Sequence, residues 1–283
     1  MALVASMAAC ATTETGQLGS DLTASDVGGA SDLGTTADPG TPLDPGPELS
    51  VPDVPPDVPS DVAADLTPGP TATVSGRVFI FGPAGGALKD AKVTLLEHPQ
   101  LGAATTDAQG DWSIAGVPVG STATAVLDHS DYTPNQTGTH VVPKEGFDRL
   151  AFQAVGQLIY DIYVAAVGIT PDPTRCQIST TVTWYSTAKY PPAPHGEAGA
   201  TVTIEPPLSA SHGPVYFNAS VIPDPKLTET SADGGVVFTN VPPGTYTLRA
   251  HKAGVAFEDV VATCRAGLLV NAAPPRGLQA KGK

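Results

Sequence analysis

Residues 230–250, TSADGGVVFTNVPPGTYTLRA, carry the clearest pattern of polar and apolar positions in the chain. Asp233-Gly234-Gly235 signals a tight turn, because Gly takes positive φ at little cost and Asp tolerates it. Val236, Val237 and Phe238 are strand formers. Pro242-Pro243-Gly244 ends that strand, since proline cannot donate to a ladder. From Thr245 the chain alternates, which puts Tyr246, Leu248 and Ala250 on one face of a further strand. Upstream, the same reading predicts strands at residues 73–81, 91–97, 111–114, 121–128, 140–143 and 148–155, separated by Gly- and Pro-bearing turns. Downstream it predicts strands at 177–186, 199–205, 255–264 and 268–271, an insertion at 208–224 carrying Val215-Tyr216-Phe217-Asn218, and a frayed tail from Ala272. Many short strands with regularly spaced turns indicate an all-β sandwich class.

One stretch breaks the pattern. In residues 157–168, QLIYDIYVAAVG, Leu158, Ile162 and Ala165 share one helical face, with Ile159, Tyr163 and Ala166 beside it. Gly168 followed by Pro171 is a helix stop. The β-branched content also suits a strand; the expectation is a short helix.

The chain repeats itself across this stretch. TTDAQGDWSIAGVPVGSTATA, residues 105–125, aligns with the stretch from Glu229 onward: Gly110 matches Gly234, Val117-Pro118 matches Val241-Pro242 and Gly120 matches Gly244. Upstream, residues 91–95 match 200–204. Two copies of one unit are present, with Trp112 the expected core aromatic of the first. The pattern TxxDGxxxFxxVPPGxYxLxA resembles the core of the carboxypeptidase regulatory-like module, a prealbumin-like β-sandwich appended to many secreted proteins. The resemblance implies two tandem prealbumin-like or Ig-like antiparallel sandwiches, at residues 71–156 and 171–275, joined by a short helix at 157–170 and followed by a tail at 276–283.

Composition separates the N-terminal quarter from the rest. The 283 residues carry a formal charge of −14, yet residues 1–76 contain 11 acidic residues and no Lys or Arg. Without a basic stripe, binding to nucleic acid is excluded. Residues 11–70 are rich in Asp, Pro, Gly, Ser and Thr and lack aromatics, a composition that cannot offset chain entropy by burial. A disordered linker is expected, stiffened by the tandem PDVP at 52–59. Asp53, Asp57 and Asp61 are four apart on a stiff backbone, unlike the turning loops that hold calcium. Residues 1–10, MALVASMAAC, resemble the end of a bacterial lipoprotein signal peptide, a truncated one without a basic n-region, ending at a lipobox-like Cys10. The resemblance implies lipidation at Cys10; the alternative is a short apolar N-terminus with an accidental Cys.

Candidate chemistry is sparse. None of the six histidines lies in a zinc-peptidase spacing, so the chain resembles the regulatory appendage of such enzymes without the catalytic part. His195 and His212 share the second module and could meet, although loop histidines are more often solvated. No Ser sits in a nucleophile elbow. Glu205, Asp224 and Glu258 are bland acid candidates. Related pilin-type sandwiches form Lys–Asn crosslinks, but no Lys lies at 177–186 to face Asn271, and Lys92 has no evident Asn. Tyr160, Tyr163, Tyr190 and Tyr216 either line a binding surface or fill cores. Trp184 and Tyr185, adjacent on a strand, face opposite sides, so one of them is exposed. The sequons at Asn135 and Asn218 are coincidental in a bacterial lipoprotein. Given export, Cys176 and Cys264 are a disulfide pair; in a cytoplasmic chain they would be buried thiols.

The reading is a non-catalytic cell-envelope lipoprotein with no cofactor and no metal. It is anchored to the membrane by lipid, at the outer membrane or cell surface, and its modules give structural support or bind an envelope polysaccharide or protein. The alternatives are an accessory module of an envelope hydrolase, peptidase or transporter, and an enzyme with an unrecognised site.

Overall fold

A computed structural model of the chain describes residues 69–82, 85–186, 188–190 and 195–282. The signal-like segment 1–10 with Cys10, and the linker reading of 11–70 up to residue 68, lie outside the described residues.

The first copy is built from β1 (Thr71–Ile80), β2 (Lys92–Leu95), β3 (Ala104–Thr105), β4 (Asp111–Pro118), β5 (Thr122–Ala123), β6 (Ala125–Asp128), β7 (Asn135–Gln136), β8 (His140–Val141) and β9 (Phe147–Ala154). In β1 the alternation places Val74, Gly76 and Val78 inward. β1 is antiparallel to β4 and parallel to β9, so the first and last strands of the module clasp each other. Gly76 makes that clasp possible: a Cβ there would stand 1.6 Å from the Leu150 carbonyl oxygen. Facing this sheet is a second, ordered β3-β2-β6-β7. Between them lie Val74, Val78, Val93, Leu95, Trp112, Leu127 and Phe152. Trp112 fills the core as its sequence position implied, 6.2 Å from the Phe152 ring.

The second copy comprises β10 (Cys176–Thr183), β11 (Thr201–Glu205), β12 (Val215–Phe217), β13 (Pro223–Asp224), β14 (Gly235–Val241), β15 (Gly244–His251), β16 (Val260–Cys264), β17 (Leu269–Ala272) and β18 (Leu278–Gln279). β10 is its axis, antiparallel to β14 and parallel to β17. The opposing sheet is β11-β15-β16. In β15, Tyr246 and Leu248 point into the core and Ala250 packs against it, as the alternation requires. The turn before β14 bends at Gly234, with φ +78°. Cys176 and Cys264 form a disulfide between the two layers, with their Cα atoms 5.7 Å apart.

The frayed tail is not found. β18 adds to β10 in parallel through Val182↔Leu278, and Leu278 is fully buried. Hydropathy after two prolines gave no periodicity, and a two-residue strand is too short to show one.

The copies are more than neighbours in sequence. β7 of the first pairs in parallel with β17 of the second, through Leu269↔Asn135 and Val270↔Gln136. One ten-stranded sheet therefore runs through both sandwiches. Residues 157–168 do form a helix, α1 (Gln157–Val167), closed by Gly168 in the left-handed conformation, whose amide bonds the carbonyls of Val164 and Ala165. The apolar pattern left its inward face open, and the structure chooses: Leu158 and Ile162 are 73% and 47% exposed, and the stripe of Ile159, Tyr160, Tyr163, Val164 and Val167, with Ile162 at its edge, faces the protein. No residue of α1 is buried.

Candidate functional site

Beneath α1 lies a cavity of about 610 Å³. Its floor is the outer face of the β17-β10-β14 ribbon. Because strand side chains alternate, Ile178 and Val182 enter the core while Gln177, Ser179 and Thr181 face outward. The register sets Gln177 beside Leu269, Ser179 between Val237 and Asn271, and Thr181 beside Gly235. The roof is the inward stripe of α1, and the walls are Phe79 and Phe81 from β1 and its exit, with Val221, Ile222 and Pro223 opposite.

Tyr163 ties roof to walls. Its hydroxyl donates to the Val221 carbonyl at 2.5 Å. Its ring meets Phe81 and Phe217 edge-on at 5.8 and 5.4 Å. Phe217 can lie there because residue 235 is Gly, where a Cβ would come within 2.9 Å of the Phe217 ring. Burial, followed by the charge of Asp233, pushes the Tyr163 hydroxyl up to about 12, so it stays a neutral donor.

Several polar groups around the cavity are engaged. Gln177 and Asn240 bond each other twice: the Gln177 amide donates to Asn240 Oδ1 at 3.1 Å, and the Asn240 backbone amide donates to Gln177 Oε1 at 2.9 Å. The Asn271 amide donates to the Gln153 carbonyl at 3.3 Å. At the Thr181 end stand His195 and Asp233. The Asp233 carboxylate accepts the Gly235 amide at 3.0 Å. Burial raises its pKa, against the opposing pull of that amide and of His195. A carboxylate in an apolar wall can accept a hydrogen bond or face a cation.

The structure distributes the other candidates. Tyr160 and Tyr163 line the cavity. Tyr190 instead sits under the Arg77 guanidinium, 4.9 Å from its ring centre, and Tyr216 is a core residue whose hydroxyl accepts the Val202 amide at 2.9 Å. Trp184 and Tyr185 are both exposed, because β10 ends at Thr183 and the strand alternation expected for them does not reach them. His212 bonds the Thr239 carbonyl at 2.9 Å, and the described residues contain no group of three or more His, Cys, Asp or Glu placed to hold a metal. Glu205 and Asp224 lie on separate strands, and Glu258 pairs with Lys281. Asn271 faces Ser179 across the parallel pair, not a lysine. Asn135 is fully buried and donates to the Gln153 carbonyl, so its sequon is closed to a glycan.

Ser179, Thr181, Val237 and Asp233 were not marked as site residues by the sequence, where Asp233 read as a turn residue and Val237 as a strand former. One signal was present: Val236-Val237-Phe238 is a continuous apolar run, and such strands are covered on both faces.

No family model matches the chain, and no curated protein matches it. Among solved structures, it is similar to the Bacillus anthracis TIE protein, at 12% identity over 75% of this chain and 34% of that one, with a TM-score of 0.22. It is also similar to GBS52, the minor pilin of Streptococcus agalactiae, at 10% identity over 75% and 96% with a TM-score of 0.26. A third is the shaft pilin SpaA of Lactobacillus rhamnosus GG, at 10% identity over 75% and 98% with a TM-score of 0.21. The chain spans about a third of the length of the first of these.

Proposed function

We propose that this chain is an exported, non-catalytic structural and binding module of the cell envelope. A lipid on Cys10 holds it at the outer membrane or cell surface, and the acidic tract to residue 70 spaces the two sandwiches from the membrane. Its partner in this reading is an envelope polysaccharide or protein. The observation that carries the reading is the Cys176–Cys264 disulfide. Such bonds persist where the surroundings are oxidising, outside the cytoplasm. The seam that makes one sheet of both sandwiches supports a structural role, since it resists bending between them. No helix among the described residues is long and apolar enough to cross a membrane.

Fractionation tests it. The wild-type chain should sediment with membranes and resist a salt wash, because acyl chains bury methylenes at roughly 0.8 kcal/mol each. Cys10→Ala should move it to the soluble fraction. Thiol labelling of freshly isolated, denatured protein should find Cys176 and Cys264 blocked until reductant is added. Equal retention of wild type and Cys10→Ala, or free thiols before reduction, would overturn the reading.

A further inference from the structure

The cavity under α1 calls for an occupant. Its volume, about 610 Å³, is in the range of small-molecule sites. The space is partly open to solvent, so without an occupant its apolar lining stays hydrated, which is unfavourable in proportion to the apolar area left exposed. Here Gln177 is spent on Asn240 and Asn271 on the Gln153 carbonyl, which leaves short hydroxyls, Tyr160 and the Gln153 side chain, with His195 and Asp233 at one end, in a lining that is otherwise apolar. The helix does not collapse onto the floor: none of its residues is buried, and Tyr163 is held across the space by Phe81, Phe217 and the Val221 carbonyl.

The cavity also has a direction. Along β10 the floor runs from Gln177 to Thr181, about 13 Å at the strand rise of about 3.3 Å per residue. At the Gln177 end Leu269 lies beside it, and the middle is flanked by Val237. At the Thr181 end the chain turns through Asp233, whose carboxylate lines the space. An elongated molecule with an apolar body and one polar end fits this outline. Two titratable groups stand at this end, His195 and Asp233, and the acidic one sets the preference: a carboxylate accepts hydrogen bonds, attracts cations and repels anions.

We propose that the cavity binds a single-chain amphiphile with a hydrogen-bond-donating head, cationic or uncharged, such as an alkylamine or alkyl alcohol. The chain lies over Ser179 and Val237 beneath α1, and the head donates to Asp233. Burial already raises the Asp233 pKa; an ammonium head would pull it down, and a carboxylate head would push it further up. The site does not depend on the lipid at Cys10, so it stands or falls separately from the tether.

The test uses the full chain carrying Cys10→Ala, which needs no detergent, with the neutral fluorophore N-phenyl-1-naphthylamine as probe. Decylamine, decanol and decanoate are titrated below their micelle concentrations at about pH 8. The probe should bind saturably at one site. Decylamine and decanol should displace it, and decanoate should need at least about tenfold more. Two substitutions fill the space from opposite sides, Ser179→Ile from the floor and Val164→Phe from the roof. Whichever of them folds, judged by an unshifted melting transition, should lose probe binding. Asp233→Asn, which keeps the acceptor for the Gly235 amide, should bring decanoate within about threefold of decanol. Absence of saturable probe binding to the wild-type fold would overturn the proposal. So would equal displacement by decanoate and decylamine, or undiminished binding in a folded variant with the space filled.

Discussion

Gln136 of the first sandwich donates its amide to the carbonyl of Thr263 in the second at 2.6 Å, and Gln136 is fully buried. Its Oε1 accepts Arg265 Nε at 2.8 Å. Beside it, Thr124, Thr139 and Thr263 form a hydroxyl chain across the same seam, at 2.7 and 2.9 Å. The join between the copies is thus a polar network in the interior, where the stakes of each bond are high. Gln136→Leu removes both bonds and leaves the Arg265 guanidinium and the Thr263 carbonyl without them. A loss of about 1–3 kcal/mol is expected for the unfolding of the fused unit. Urea titration measures it; an unchanged midpoint would show the seam to be energetically idle.

Gly76→Ala should be far more damaging than its size suggests. The new Cβ falls 1.6 Å from the Leu150 oxygen, in the middle of the β1–β9 clasp. The neighbour is backbone and cannot swing aside, so the two strands must part. The expected result is a protein that is insoluble or lacks a cooperative transition, whereas Gly156→Ala, with φ −68° and no heavy atom within 4 Å of its Cβ, should remain soluble. A well-folded Gly76→Ala protein would contradict the register of this clasp.

Removing the disulfide opens a loop with a sequence separation of 88. By loop-closure entropy that is worth roughly 4 to 5 kcal/mol, a large part of the ~5–15 kcal/mol that holds a domain together. Cys176→Ser, or reduction, should lower the melting temperature steeply, and the double Cys variant should match the reduced wild type. Calorimetry with and without reductant decides it.

His140 predicts an acid-sensitive fold. Burial, aided by the charge of Arg276, lowers its pKa from 6.5 to about 4. Its ring packs edge-on against Phe147, whose other neighbour is the Arg276 guanidinium at 4.7 Å. Between those two pH values the unfolded chain binds a proton that the folded one refuses, so stability falls as pH drops through that window and is level above it. The whole effect is at most about 3 kcal/mol. Asp233 acts in the opposite sense, because its folded pKa is raised above 3.8 and its contribution declines as pH rises. Comparison with His140→Phe, which lacks the first term only, isolates it: the difference in stability between the two proteins should shift toward the variant as pH falls from 6.5 to 4. A constant difference would refute the prediction.

Leu278→Ala tests the closing strand. Leu278 is fully buried beside Val182, and Leu→Ala at such a site costs about 2–5 kcal/mol. A frayed segment would show less than about 0.5 kcal/mol.

What could be read beforehand was local. The alternation of Tyr246 and Leu248 and the glycine turn at Gly234 each sit within one or two turns of chain, and the match of Gly110 to Gly234 shows the same local pattern a second time; together they define the sandwiches. The disulfide followed once export was assumed. The seam could not be read, because it depends on Asn135 and Gln136, a two-residue strand in a polar stretch with no periodicity to detect. Nor could the cavity. Ser179 and Thr181 look like ordinary solvent-facing strand residues until α1 is seen to lie over them. That helix itself was visible in residues 157–168, but its direction was not, since apolar residues cover both its faces and the hydrophobic pattern does not choose between them.

The cross-link has a mechanical meaning as well. Cys176 begins β10 and Cys264 ends β16, so the covalent path from the start of the second sandwich to its closing strands runs through sulfur. Tension entering from the first sandwich and leaving by the C-terminal strands bypasses the backbone between the two cysteines. That stretch is slack that only a reductant can release, and at about 3.5 Å per residue its release would lengthen the chain by about 300 Å. Pulled from its ends, the oxidised protein is short and the reduced one long.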